Sequence, residues 1–362
     1  MLSPKVATEA IIAAAIKIAN KPTFWFFVTL LIKSLAQLAK KAIFLSNVCE
    51  NVFLLLSYDK LSRKPILFKS FTGLSVQQFD DIFKEIESKY PKHEVKRLSY
   101  ERKDKRKRKR AVGAGRHFKL IPKNRVIMVL VYYRLYITYT LAGFLFDLDQ
   151  SNIYRDIQKI EGLIRECLPI PQKLYKVTKR LKTREEVEQH FPGFMAFTDC
   201  TEQPIPKPKN RKNRKLYYSG KKKRHAVKNL YTVNQEGVIV YKTKRRQIGR
   251  KHDYKIYKKN HPKLPLDVLS LYDLGFLGVE REFPKQLSSL PIKKEKGCEL
   301  IKEEREYNKI HSAKRILIEH VICRLKKYRI MNDVFRNRLI RYDRVSDIVS
   351  GLVNYRTMTN IC

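Results

Sequence analysis

Pro192-Gly-Phe-Met-Ala-Phe-Thr-Asp199-Cys-Thr-Glu202 opens on a turn dipeptide and runs through an apolar stretch into a carboxylate. A turn signal followed by Phe194, Met195, Ala196 and Phe197 reads as a buried strand ending at Asp199. The next apolar runs, 227–233 and 238–242, flank Asn234-Gln-Glu-Gly237, which is a hairpin signal, so the first three strands are antiparallel. His252-Asp-Tyr-Lys-Ile-Tyr-Lys-Lys-Asn then starts a helix, and Leu266-Asp-Val-Leu-Ser-Leu-Tyr-Asp273 returns as a strand. A strand that follows a helix lies beside the first by a crossover, which sets Asp273 next to Asp199. A later helix over 303–328 takes Ile316, Ile318 (or Leu317), Ile322 and Leu325 as its buried face, with Glu319 three residues from both Ile316 and Ile322.

Three strands, helix, strand, helix is the order of an α/β domain of the ribonuclease-H-like fold, with a mixed sheet and helices around it. Asp199, Asp273 and Glu319 then converge at one sheet end, and such a cluster invites a divalent metal. Upstream the periodicity is helical. Val76, Phe79, Ile82, Phe83 and Ile86 recur every three or four residues behind Ser75, an N-cap. Val126, Ile127, Val129, Leu130, Tyr133 and Leu135 are too continuous for a surface helix and belong to a buried one. Thr138-Tyr-Thr-Leu-Ala-Gly-Phe-Leu-Phe, the turn Asp147-Leu-Asp-Gln, and a second helix from Ser151, its cap, form a helix-turn-helix near 138–163. In that motif the second helix enters the major groove, which nominates Gln150, Asn152, Tyr154, Arg155 and Lys159 as DNA contacts and leaves Ile153, Ile157 and Ile160 for the core. A plain helical hairpin is the alternative.

The chain divides on this reading into a helical segment of unknown role (1–66), a helical DNA-binding domain (67–185) and the catalytic domain (186–362). A formal net charge of +42 over 362 residues, with a pI near 10.0, makes double-stranded DNA the expected partner. Hydrophobic residues are 43% of the chain, enough to bury cores, so disorder is not the default. Residues 101–110 carry a block of Lys and Arg that reads as a solvated linker or a phosphate-binding arm. The insert from Lys207 to Arg224 holds ten Lys or Arg, among them Lys221, Lys222, Lys223 and Arg224, and no acid, which reads as a phosphate-tracking loop beside Asp199. Six cysteines lie scattered without Cys-x-x-Cys or paired histidines, so neither a zinc module nor a disulfide framework is indicated and a reducing cytoplasm, at the nucleoid, fits. Cys200 reads as a space-filler rather than a nucleophile. Lys17, Lys21, Lys33, Lys40 and Lys41 break the N-terminal apolar runs short of the ~18 residues of a spanning helix, so no membrane partner is expected.

Several segments together resemble the DDE transposases of bacterial and archaeal insertion sequences, the group related to insertion-sequence family five. They are Thr198-Asp-Cys-Thr-Glu-Gln-Pro-Ile-Pro-Lys-Pro, Lys215-Leu-Tyr-Tyr-Ser-Gly-Lys-Lys-Lys-Arg-His, Gly249-Arg-Lys-His-Asp, Asp273-Leu-Gly-Phe-Leu-Gly and Tyr307-Asn-Lys-Ile-His-Ser-Ala-Lys-Arg-Ile-Leu-Ile-Glu-His-Val-Ile-Cys-Arg-Leu-Lys, followed by Tyr328-Arg-Ile. The resemblance spans roughly 73–357. It implies Asp199, Asp273 and Glu319 as catalytic metal ligands, with Mg²⁺ (or Mn²⁺), two ions in number, as the only cofactor and no organic one. Two ions about 4 Å apart activate an oxygen nucleophile and stabilise a leaving oxygen, and hard carboxylate ligands suit Mg²⁺. The resemblance further implies cleavage at terminal inverted repeats, strand transfer and a homodimer on DNA, with an inactive DNA-binding derivative or a nuclease that does not join as the alternatives. It places Arg315 and Lys326 beside Glu319 on one helix face, as DNA contacts. Ser312 stands where some relatives have Tyr. His252 and Asp253 are an auxiliary pair, or an N-cap with an orienting histidine.

Overall fold

The computed structural model describes residues 55–98, 118–295 and 297–361. The expectations for the N-terminal segment up to residue 54, and for the basic run 101–110, lie outside the described residues. Tyr58–Cys362 forms one compact unit.

Helices come first in this unit. Short α1 (Tyr58–Ser62) and α2 (Pro65–Thr72) lead through Gly73 into α3 (Val76–Leu98). Ser75 caps α3 as its side chain suggests: Ser75 Oγ accepts from the Gln78 amide at 3.1 Å, and the Gln78 side chain accepts from the Ser75 amide. Helix α4 (Pro122–Leu135) is buried almost all round, as its continuous apolar sequence requires. Helix α5 (Tyr139–Phe146) starts at Thr138, whose hydroxyl accepts from the Leu141 amide. It turns at Asp147, in left-handed conformation, into α6 (Gln150–Cys167). The cap of α6 is Asp149 rather than Ser151, and it makes no side-chain cap bond. The tightness of the turn explains the shift, because the backbone already reaches the helical path at Gln150. A Cβ on Gly143 would stand 2.4 Å from the Leu148 carbonyl, so only glycine lets the turn fold back onto α5. Ile153, Ile157 and Ile160 are buried as the pattern demands.

After α7 (Pro171–Thr178) and α8 (Arg184–His190, closed by a Thr183–Glu186 capping box), the sheet begins. Strand β1 is Met195–Pro204, so it runs five residues past Asp199 instead of ending there. It continues because β3 (Arg224–Asn234) pairs with it along its length, antiparallel from Ala196↔Asn234 to Pro204↔Ala226. Between them lie α9 (Arg211–Tyr217) and the two-residue β2 (Tyr218–Ser219), which pairs with the start of β3. Strands β4 (Ile239–Lys242) and β5 (Gln247–Ile248) also pair antiparallel with β3. Helix α10 (Asp253–Lys259) crosses over, and β6 (Leu269–Leu271) enters parallel to β1. The strand is shorter than 266–273: Leu266 is exposed, and Asp273 caps a single 3₁₀ turn, its side chain accepting from the Gly275 amide. Helix α11 (Val279–Glu282) and β7 (Ser288–Ser289), parallel to β6, finish a mixed sheet of order β2-β3-β1-β6-β7. Strands β2, β5 and β7 were not expected from the sequence, being two residues each.

Helix α12 (Lys302–Lys326) packs on β1 and β3, followed by α13 (Arg329–Asn332) and α14 (Tyr342–Ile361). The buried face of α12 is His311, Ile318, Val321 and Leu325. Ile316 is exposed and Ile322 only half-buried, so the expected face was rotated: the stripe follows the three-and-four spacing from Ile318, and Glu319 sits on its margin. Leu230, Tyr257, Tyr272 and Phe276 centre one core under the sheet, and Phe191, Ala196, Val240 and Val268 another.

Candidate functional site

The parallel pairing of β1 and β6 brings two carboxylates together. Phe197 lies opposite Leu271, so Asp199 and Asp273 emerge at the same level, two residues past the last paired position. Their proximity is felt electrostatically: burial and the neighbouring Asp273 charge push the Asp199 pKa up to about 6, against the Cys200 amide and Arg315, which favour the ionised form. Each acid is also fixed by backbone, Asp199 Oδ1 accepting from the Cys200 amide at 2.7 Å and Asp273 Oδ1 from the Gly275 amide at 2.9 Å. A Cβ on Gly275 would come within 2.9 Å of that same Asp273 oxygen, so the close approach depends on glycine.

Asp199 opens on a cavity of about 270 Å³ whose walls also carry Glu202, Asp253, Lys222, Arg224, Glu319 and Lys326. Glu319 thus faces the first aspartate from α12. Lys221 lines the cavity too, whereas Lys223 does not; it occupies the left-handed position of the turn into β3. Burial and the adjacent Lys222 and Arg224 push the Lys326 pKa down, which records how closely the cations crowd here. Arg315 is near enough for its charge to act on Asp199 but is not part of the cavity wall.

Sequence reasoning overlooked Glu202 and Lys228. They are directly opposed in the β1–β3 register, and Lys228 Nζ lies 3.3 Å from Glu202 and 3.0 Å from Asp253. Burial opposes the charge on Lys228, but the two carboxylates outweigh it and raise its pKa. A lysine inside the apolar run Ala226-Val-Lys-Asn-Leu was the available signal, since a buried charge needs partners. Asp253 is therefore an ion-pair partner, and the residue capping α10 is His252, which is exposed and makes no side-chain cap bond. Cys200 packs against the Leu230 core, and burial pushes its thiol far up, consistent with space-filling.

The recognition helix divides its nominated contacts between two clefts. Asn152, Arg155 and Lys159 line one with Asp147 and Asp149; Gln150 and Tyr154 line the other with Tyr139 and Ser151. Tyr154 is half-buried against the Tyr139 ring and under Arg341, so it serves packing as well.

The family described as "DDE superfamily endonuclease" matches residues 198–354, and "Helix-turn-helix of DDE superfamily endonuclease" matches 118–170. A probable transposase for insertion sequence element IS702 from Microchaete diplosiphon is 30% identical over 288 residues, covering 80% of this chain and 93% of that protein. The chain belongs to the DDE transposase family of insertion sequences. No solved structure matches it.

As a DDE transposase, the chain carries a DNA-binding helix-turn-helix domain over residues 118–170, which holds α4, α5 and α6, and a mixed α/β endonuclease domain after it. Endonucleases of this superfamily use divalent metal ions. The donor chemistry suits such an ion, with Asp199 and Asp273 as hard carboxylates at one level on adjacent strands; Glu319 shares the cavity of Asp199, whereas Asp273 does not line it. Among the described residues no three His, Cys, Asp or Glu side chains are gathered tightly enough to enclose one ion. Among the same residues no helix is long and apolar enough to cross a membrane.

Proposed function

We propose that this transposase binds the terminal inverted repeats of its element through α6, cleaves them at Asp199, Asp273 and Glu319, and joins the freed 3′-hydroxyls to target DNA. The observation that carries the reading is the shared level of Asp199 and Asp273 on parallel strands, with Glu319 lining the same cation-walled cavity as Asp199. An antiparallel β1–β3–β4 run with β6 added parallel to β1 supports a ribonuclease-H-like fold for the domain. Residues 67–185 would act as the DNA-binding part and 186–362 as the catalytic part. Asp199 and Asp273 would hold the metal, Mg²⁺ in the first instance and two ions in number, with Glu319 reaching from α12. When bound, the ions supply an activated oxygen nucleophile and charge stabilisation for the leaving oxygen.

The chain's own groups do the rest. Lys221, Lys222, Arg224 and Lys326 bind the phosphates flanking the scissile bond, Arg315 approaches the same strand, and Lys223 extends the cationic edge. Lys228 holds Asp253 and Glu202 in place, so that these acids do not compete for the metal at full charge. Asn152 and Arg155 read base edges, with Gln150 and Tyr154 at the entry of the helix. Two ends must be held together, so the working species is a homodimer on DNA.

Asp199→Asn, Asp273→Asn and Glu319→Gln are each expected to abolish Mg²⁺-dependent cleavage of inverted-repeat DNA while end binding, followed by gel shift, stays within a few fold. Cleavage retained by any one variant removes that residue from the triad. Cleavage without joined product in the unmodified chain reduces the assignment to a nuclease.

A further inference from the structure

The basic insert divides its cations between two sides of a hairpin. Tyr218 pairs with His225 and Ser219 with Arg224, and successive residues of a strand face opposite sides. Arg224 accordingly faces the catalytic cavity, whereas Tyr218 and His225 face a separate cleft of about 710 Å³, lined with them by Lys207, Arg214, Lys215 and Arg250. Among the described residues, no carboxylate lines this cleft. The Arg214 guanidinium is held by the Pro208 and Lys209 carbonyls, both at 2.9 Å, which ties down the loop. Tyr218 is 43% exposed, and its ring meets that of His225 in a T-shaped contact, 5.7 Å between centroids. At the lip, no described residue lies within 4 Å of where a Gly220 side chain would begin.

We propose that this cleft is a second nucleic-acid subsite, which takes an unpaired DNA strand by its phosphates and stacks one base on Tyr218. The inference rests on the reading of the chain as a DNA-end-processing enzyme and adds to it a strand path distinct from the scissile one. Its chemistry follows from the lining. Cations without acids track a polyanion, and an open, rigidly held aromatic beside them offers a face to a base that a duplex keeps stacked on its neighbours. A double-stranded partner would use the lysines but leave Tyr218 idle. Strand opening beside the cleavage point supplies an unpaired segment of this kind.

The test uses the full chain in chelator, with a fluorescent single strand on the order of ten nucleotides, within the range such sites occupy, and a duplex of the same length, read by anisotropy. Tyr218→Ala is expected to weaken single-strand binding on the order of tenfold and duplex binding much less, while Tyr218→Phe, which keeps the ring, binds as the parent does. Lys215→Gln with Arg250→Gln should flatten the plot of log affinity against log salt on the single strand by about 1.4, at about 0.7 per phosphate contact. Equal losses on both substrates for Tyr218→Ala, a Tyr218→Phe variant as weak as the alanine, or an unchanged salt slope overturns the subsite. If these fail while inverted-repeat ends are still cleaved through the triad, the subsite is wrong and the transposase reading stands. Ring-dependent strand binding in a chain that never cleaves ends does the reverse.

Discussion

Arg125 is wholly buried on α4 and forks onto Asp156 of the recognition helix. Its Nε donates to both carboxylate oxygens, at 3.0 and 2.8 Å, one Nη closes the fork and the other donates to Tyr90. The guanidinium carbon also stands 3.8 Å from the Phe118 ring centroid. Arg125→Ala leaves Asp156 charged, buried and unpaired, which costs about 3–5 kcal/mol, and removes the stacking contribution, about 1 kcal/mol more. For a folded unit of this size each kcal/mol moves the midpoint by roughly 2–3 °C, so the variant should melt about 8–18 °C lower. Circular dichroism during heating reads this directly. Because Asp156 follows Arg155 on α6, inverted-repeat binding should weaken as well. Arg125→Met combined with Asp156→Leu replaces the pair by apolar groups and should recover most of the loss. A single variant within about 1 kcal/mol of the parent, or a double variant no better than the single, refutes the reasoning that the buried fork fixes α6.

Gly143→Ala places a Cβ 2.4 Å from the Leu148 carbonyl and should cost about 1–3 kcal/mol while opening the recognition turn, seen as a lower midpoint together with weaker end binding; an unchanged midpoint counts against the close approach. Gly275→Ala crowds Asp273 Oδ1 and should lower cleavage steeply with little loss of stability, and normal cleavage would mean that the carboxylate is not held where described. His311 donates through Nε2 to the Ser289 carbonyl, and among the described residues its buried Nδ1 has no acceptor for a second proton; burial, with Arg315 and Lys314 nearby, lowers its pKa. A histidine whose folded pKa is depressed stabilises the fold above its unfolded value of about 6.5 and loses that contribution as pH falls below it. Denaturation midpoints should therefore drop between pH 7 and 5 less steeply in His311→Gln than in the parent, and identical slopes would exclude His311 as the source.

The parts of this chain legible in its sequence are those where a single periodicity dominates. The stripe on α3, the three isoleucines of α6 and the run into Asp199 each place one kind of residue together, and all are buried except Val76, Phe194 and Met195, which are half-buried. Asp199 and Asp273 were readable as neighbours because a crossover strand has one place to go. Where two signals compete, reading fails. Helix α12 offers Ile316, Leu317, Ile318, Val321 and Ile322 in one turn and a half, and only packing against β1 and β3 selects Ile318 and Val321. Strand β1 looked finished at Asp199 because a carboxylate commonly marks a turn, yet β3 carries its pairing on to Pro204. The two-residue strands carry no period at all. In the site, the basic insert was legible as a charge run, but which cation turns to which cavity depends on the register Tyr218↔His225, which composition does not encode.

The same dependence on register explains how α6 and the sheet hold a fixed relation within one compact unit. Asp347 of α14 accepts from Lys242 Nζ of β4 at 2.9 Å, from Arg165 of α6 at 2.9 Å and from Gln172 of α7 at 3.0 Å. Glu161 of α6 pairs with Arg341 and takes the Tyr133 hydroxyl at 2.9 Å. Asn354 of α14 accepts from the Ile239 amide and donates to the Ile239 and Pro169 carbonyls. Charges buried in this seam are tolerable only with their partners in place, and a slide of α6 would part Glu161 from Arg341 and Arg165 from Asp347. Apolar contacts alone would permit such a slide at small cost, since they are non-directional. The polar seam therefore sets the orientation of the recognition helix relative to the strands at which Asp199 and Asp273 lie. On the function proposed above, DNA held by Asn152 and Arg155 would in consequence be presented to the acids at a distance fixed by the fold.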